Sequence, residues 1–256
     1  KTVSEMVPLH PELANLQGQV ERVSQPKMAE RYFKDAINMQ PDNPRYLFQA
    51  GLNYRAMNEN IEAKSHFERA YRADPNFHQA HYYHGLVLKD LGQLAKAEKQ
   101  FEEVVRIDSR RTDAFMELAN IRASQGDSKG ALDAIDRAIK NNPKNPKPLC
   151  EKGIILVQQM GDSRVRRNAG IKALKKCVKL EPKHESAWRI LGNAYADGGK
   201  RRDAVKAFVT HIKANPGDSE NDYLCVRLKD WGKACPGDEP EEPVGGGDDD
   251  DDEEEE

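Results

Sequence analysis

The chain has 256 residues, 32% charged and 7% aromatic, with a formal net charge of −3. No apolar run approaches the ~18 residues a helix needs to cross a bilayer, so no transmembrane segment is expected. The near-neutral total hides an asymmetry: from Gly237 onward there are thirteen acidic residues and no basic ones, which leaves a body of about +10.

A basic body with an acidic tail constrains partners rather than fold. The chain opens on Lys1, not methionine, so removal of an N-terminal segment is expected; a signal peptide, a lipid anchor and a further domain all stay open. A removed signal peptide would put the protein in the periplasm or envelope, and without one it is cytoplasmic.

From residue 8 the chain is punctuated at a near-constant interval. Pro8, Pro41, Pro75, Ser109, Pro143, Pro182 and Pro216 follow one another at steps of 33, 34, 34, 34, 39 and 34. Ten residues after each of the first six stands a small residue: Gly18, Gly51, Gly85, Ala119, Gly153 and Gly192. Later in each unit come Ala29, Ala63, Ala97, Ala131, Gly170 and Ala204. Four residues beyond those are Phe33, Phe67, Phe101, Ile135, Leu174 and Phe208. Agreement at three independent positions predicts six two-helix units.

The sixth unit is the fullest. Trp188, Leu191 and Tyr195 fall three and four apart and line one face of a first helix. Gly192 removes a side chain where a neighbouring helix must come close. Ala204 and Phe208 form a small–large pair one turn apart on a second helix. Pro216 cannot continue that helix and sets up the next turn.

This spacing, W-x2-L-G-x2-Y followed by A-x3-F and a closing proline, resembles the tetratricopeptide repeat (TPR) family, and the resemblance covers residues 8–233. It implies an all-α fold class: a right-handed TPR superhelical solenoid of six helix-turn-helix repeats plus a C-terminal capping helix. The expected repeats are 11–43, 44–77, 78–111, 112–145, 146–184 and 185–218, with the cap over 219–232, N-capped by Asp218 or Ser219. The solenoid domain is read as 1–236 and the acidic tail, 237–256, as disordered. The first repeat has Ala14 and Glu21 where the sixth has Trp188 and Tyr195, which suits a polar terminal unit. The fifth carries about five extra residues in 158–168, expected to lengthen the turn between its helices.

In the resembled family the first helices line a concave face. The positions between framework residues then present Phe48, Leu52, Tyr82, Leu86, Met116, Asn120 and Ile154, edged by Arg45, Arg55, Lys89 and Lys147 and continued by Arg189 and Asn193. An apolar strip with a basic margin suits an amphipathic helix or extended peptide with acidic flanks; the alternative is that these residues only pack between helices. The expected function is a non-enzymatic adaptor in the assembly of a multiprotein complex. Bacterial TPR proteins of pilus and motility machinery are similar in size and repeat number. Arg189 and Asn193 also resemble the first pair of a chaperone carboxylate clamp, but Leu224 stands where its next Asn is needed.

Other constellations are read more plainly. Arg164, Arg166, Arg167, Lys172, Lys175, Lys176 and Lys179 form a basic face on the fifth repeat, a solvated surface or else a binder of nucleic acid, acidic lipid or the chain's own acidic tail. The run has no interleaved aromatics, which disfavours nucleic acid. His66, His78, His81 and His84 are read as satisfied, partly buried histidines rather than a metal site. Cys150, Cys177 and Cys225 are read as buried free thiols, with a Cys225–Cys235 bond left open. No phosphate loop, nucleophile elbow or paired carboxylates are found, so neither catalysis nor a cofactor is expected.

Overall fold

The computed structural model describes residues 10–159, 163–184 and 186–238, and these contain thirteen α-helices and no strand. They follow in chain order as α1 (Pro11–Ser24), α2 (Pro26–Met39), α3 (Pro44–Ala56), α4 (Asn60–Ala73), α5 (His78–Asp90), α6 (Leu94–Ile107) and α7 (Thr112–Ser124). Then come α8 (Ser128–Asn141), α9 (Pro146–Ile154), α10 (Arg164–Leu180), α11 (Ala187–Asp197), α12 (Arg201–Ala214) and α13 (Asn221–Asp230). The acidic segment 239–256 lies outside the described residues.

Local chemistry sets the helix starts. Asn43 caps α3 by accepting from the backbone N–H of Arg45 and Tyr46, with Pro44 in the first turn where no donor is needed. Asn145 and Pro146 repeat the device on α9. The turns within the second and third pairs each use a left-handed residue: Gly92 supplies it at φ 72°, whereas Asn58 takes φ 60° with a side chain attached.

Each pair closes over one large side chain. Phe33, Phe67, Phe101, Ile135, Leu174 and Phe208 are fully buried. They sit against the small residues of the partner helix; a Cβ on Gly51 would lie 2.6 Å from Phe67 Cε1. Repeat four pairs the smaller Ile135 with Ala119, so one methyl is tolerated there. Pairs then stack into a solenoid, α2 on α3, α4 on α5 and onward. Successive first helices also touch, α1 with α3, α3 with α5 and α9 with α11, more closely than successive second helices. The first helices therefore form the inner side.

Two expectations need correction. Part of the fifth-repeat insertion enters helix rather than a longer turn. After α9 the chain makes a π-helical turn over Ile155–Gln159, and α10 starts six residues before Gly170, where other second helices start three before their small residue. The terminal helix starts at Asn221, not after a cap by Asp218 or Ser219; Asp218 Oδ1 instead accepts from the N–H of Glu220 at 2.9 Å. On α13, Leu224 and Leu228 are fully buried against α12, and Trp231 stacks on Phe208 with ring centroids 6.1 Å apart.

Candidate groove on the inner helix face

Polar links join consecutive inner helices. Arg22 Nη1 donates to Gln49 Oε1 at 2.8 Å, Arg55 approaches Asp90 at 3.9 Å, and Lys89 Nζ binds Glu117 Oε2 at 2.6 Å. At the far end Arg227 donates to Asn193 Oδ1 at 3.0 Å. Inner-helix positions thus lie side by side along the solenoid. Between α3 and α5 they open into a cleft of about 500 Å³ lined by Arg22, Leu52, Arg55, Tyr83 and Asp90.

Phe48 is half-buried in an aromatic cluster, its ring 5.0 Å from Phe77, 5.5 Å from Tyr83 and 5.7 Å from Phe67. Tyr82 meets Phe101 edge-on at 5.6 Å, and the Arg111 guanidinium lies 4.9 Å from its ring centre. Burial, followed by the negative charges of Asp113 and Glu117, pushes the Tyr82 hydroxyl up to about 12, so it stays a proton donor at neutral pH. Leu52, Leu86 and Ile154 are partly exposed and Asn120 is exposed.

Met116 departs from the expected ladder. It is 3% exposed and shares a buried cluster with Ile155 at the start of the π-helical turn, so it offers no surface to a ligand. The basic margin is partly neutralised within the fold, since Lys89 is paired with Glu117 and Arg55 lies near Asp90, while Arg45 and Lys147 are exposed. Arg189 is half-buried with its Nε unpartnered, and Asn193 is already engaged by Arg227. Sequence reasoning passed over Tyr83 and Arg111; the signal for Tyr83 was its place beside Tyr82.

On the outer side, Arg164, Arg166, Lys172, Lys175, Lys176 and Lys179 of α10 are exposed and Arg167 is partly so. The fold sets aromatics beside them that the linear run lacks. Lys175 and Lys179 share a cleft of about 450 Å³ with Trp188 and Tyr195 of α11 and Lys206 of α12. The Trp188 ring N–H donates to the carbonyl of Pro182 at 2.9 Å.

The cysteines and histidines also correct the sequence reading. All four cysteines are bonded: Cys150 with Cys177 across the fifth pair, Cα atoms 5.0 Å apart, and Cys225 with Cys235. With its sulfurs joined, the Cys150–Cys177–His184 group, whose ligand atoms lie within 4.8 Å of one another, offers a metal no thiolate. His81 has a polar neighbour at each ring nitrogen, Gln100 Oε1 at 2.9 Å and the Pro75 carbonyl at 3.2 Å, and the single N–H of the neutral ring donates to one of them. His84 differs: it is 5% exposed and neither ring nitrogen has a hydrogen-bond partner. Among the described residues no helix is long and apolar enough to cross a membrane.

Comparison with known proteins agrees with this architecture. The tetratricopeptide repeat family model matches residues 48–110 and 84–146. Superkiller protein 3 of Schizosaccharomyces pombe is 26% identical over 211 residues, which is 81% of this chain but 14% of that protein. Protein O-mannosyl-transferase TMTC1 of Homo sapiens is 25% identical over 191 residues, 75% of this chain and 21% of that protein. The chain thus spans about a fifth or less of the length of either relative.

Among solved structures, YrrB, described as a TPR protein with an unusual peptide-binding site, superimposes with a TM-score of 0.63 at 20% identity, over 77% of this chain and 97% of its own. PilW, described as a widely conserved type IV pilus biogenesis factor, gives 0.64 at 14% identity over 84% of this chain and 97% of its own. At these identities the likeness establishes the fold.

Proposed function

Because this is a chain of tetratricopeptide repeats, and proteins of that family are generally protein-interaction scaffolds, we propose that it is a non-enzymatic adaptor that seats a peptide or partner helix on its inner helices. The observation that carries this reading is the cleft between α3 and α5, where Leu52 and the half-buried ring of Tyr83 are rimmed by Arg22 and Arg55. Apolar anchors beside guanidinium groups suit a short amphipathic segment with acidic flanks. The peptide-binding site in YrrB's description supports a ligand of this kind. The narrower reading is assembly of a multiprotein complex, with pilus or motility machinery suggested by the likeness in fold to PilW. The match to TMTC1 spans a fifth of that transferase and does not move the reading toward an enzyme.

A second reading has its own observation. The exposed lysines of α10 stand beside Trp188 and Tyr195, the pairing of cation and aromatic face that favours anionic surfaces such as nucleic acid or acidic lipid. The acidic run Asp248–Glu256 complements that face in charge and would compete for it.

Affinity capture from a lysate of the organism's own cells tests the two. The full chain is compared with a Leu52→Asp/Leu86→Asp variant and a Lys175→Glu/Lys179→Glu variant, each with and without nuclease. A protein lost only with the inner-face variant, and indifferent to nuclease, is the expected result. Capture that survives that variant and disappears with the α10 variant or with nuclease would put the outer face first.

A further inference from the structure

Opposite the groove, a small cleft of about 240 Å³ opens between α4, α5 and α6. Lys64, Lys96 and Lys99 rim it, with His84, Gln93 and Gln100 among the residues inside. None of the three lysines takes part in an ion pair among the described residues. Glu68, the one carboxylate there, is held by Arg72 at 2.5 Å.

Two buried polar groups in this cleft have no partner in the fold. Both ring nitrogens of His84 are unpaired, and so is Gln93 Oε1. Gln100 Oε1 sits on His81 Nδ1 at 2.9 Å and reaches the His84 ring only as a weak attraction, short of a formed hydrogen bond. Buried polar groups are nearly always hydrogen-bonded, and leaving one bare is costly. Burial holds the His84 imidazole neutral, its pKa pushed down to about 4, so it offers one N–H donor and one bare acceptor nitrogen.

We propose that this cleft is a phosphate-binding site. Three ammonium groups supply the charge that a doubly charged oxyanion needs, and the His84 N–H donates to one of its oxygens. The one O–H of hydrogen phosphate donates a hydrogen bond to the bare imidazole nitrogen or to Gln93 Oε1, and in a phosphorylated side chain the group carrying the phosphate supplies that donor instead. Sulfate matches hydrogen phosphate in charge and size but has no proton to give at neutral pH, so those two acceptors select against it. The source is either free phosphate or a phosphorylated side chain whose neighbouring amide N–H reaches Gln93.

The test uses the full chain with its histidine rings isotopically labelled and followed by NMR, titrated with inorganic phosphate at constant ionic strength. A saturable shift of the His84 ring is expected, with sulfate at least tenfold weaker. Lys96→Gln/Lys99→Gln should weaken phosphate at least tenfold without moving the thermal midpoint. His84→Leu, which places leucine where the sixth repeat has Leu191, should raise the midpoint and abolish binding measured by calorimetry. A tripeptide containing phosphoserine distinguishes the sources: tighter binding than free phosphate assigns a phosphorylated protein, and equal binding assigns free phosphate. No saturable shift would mean that the cleft holds water only. That outcome, equal affinity for sulfate, or indifference to the lysine substitutions would each overturn the proposal.

Discussion

At the scale of single residues, the repeat is a set of fitted pairs. Gly51 is small because the Phe67 ring fills the space its side chain would occupy. Gly51→Ala should therefore destabilise the fold by about 1–3 kcal/mol through overpacking. Adding Phe67→Ile recreates the Ala119–Ile135 pair of repeat four and should recover most of that loss; urea denaturation of the singles and the double gives the coupling.

Histidines set the pH response. Burial foremost pushes both His66 and His84 down to about 4. At His84 the Gln100 side chain and Glu68 oppose burial and Lys64 adds to it; at His66 Arg69 adds to burial and Glu62 opposes it. Between pH 6.5 and 4 the unfolded chain takes up protons that the fold refuses, so stability falls as pH falls. The slope approaches about 1.4 kcal/mol per pH unit for each histidine. Denaturation at pH 7 and pH 5 checks this; His84→Leu should remove its share, and equal stability at the two values would contradict the account. The sequence placed His81 and His84 at framework positions. It could not show that one finds partners and the other none, because Gln100 and the Pro75 carbonyl, His81's partners, lie outside α5.

At the scale of elements, the regular repeats were legible because period, small residue and large residue repeat together, and each has one physical cause. Repeat five was the least legible. Its extra residues could have formed a loop, and only packing of Val157 and Leu156 around Gly170 shows why they enter a π-helical turn beside a longer α10. The Cys150–Cys177 bond joins these same two helices over 27 residues, and nothing in that spacing marks it, since neither cysteine belongs to a CxxC pair. A loop of that length is worth about 3.5 kcal/mol. Reductant should lower the thermal midpoint, and Cys150→Ala/Cys177→Ala should lower it without reductant. The loss should appear in hydrogen exchange of α9 and α10 before the first three pairs; a midpoint indifferent to both would argue that the bond contributes nothing.

For the whole molecule, inner and outer sides follow from which helices touch. Sequence position marked the residues between framework positions of the first helices but could not give their exposure. Leu52 and Leu86 keep surface, whereas Met116 is covered because Ile155 packs into the same cluster. The basic rim was legible as residues and not as charge, because Glu117 and Asp90 come from neighbouring helices to Lys89 and Arg55. The α10 face changed in the other direction: folding brings Trp188 and Tyr195 to a run that lacked aromatics. Binding there should weaken steeply with salt, whereas binding on the inner face, anchored by apolar contacts, should weaken little.

The most direct measurement is hydrogen–deuterium exchange of the full chain with and without the partner recovered by capture. Seating on the inner face predicts added protection in α3, α5 and α7, with α10 unchanged. Protection confined to α10 and α12 would contradict the central claim and move the function to the outer face.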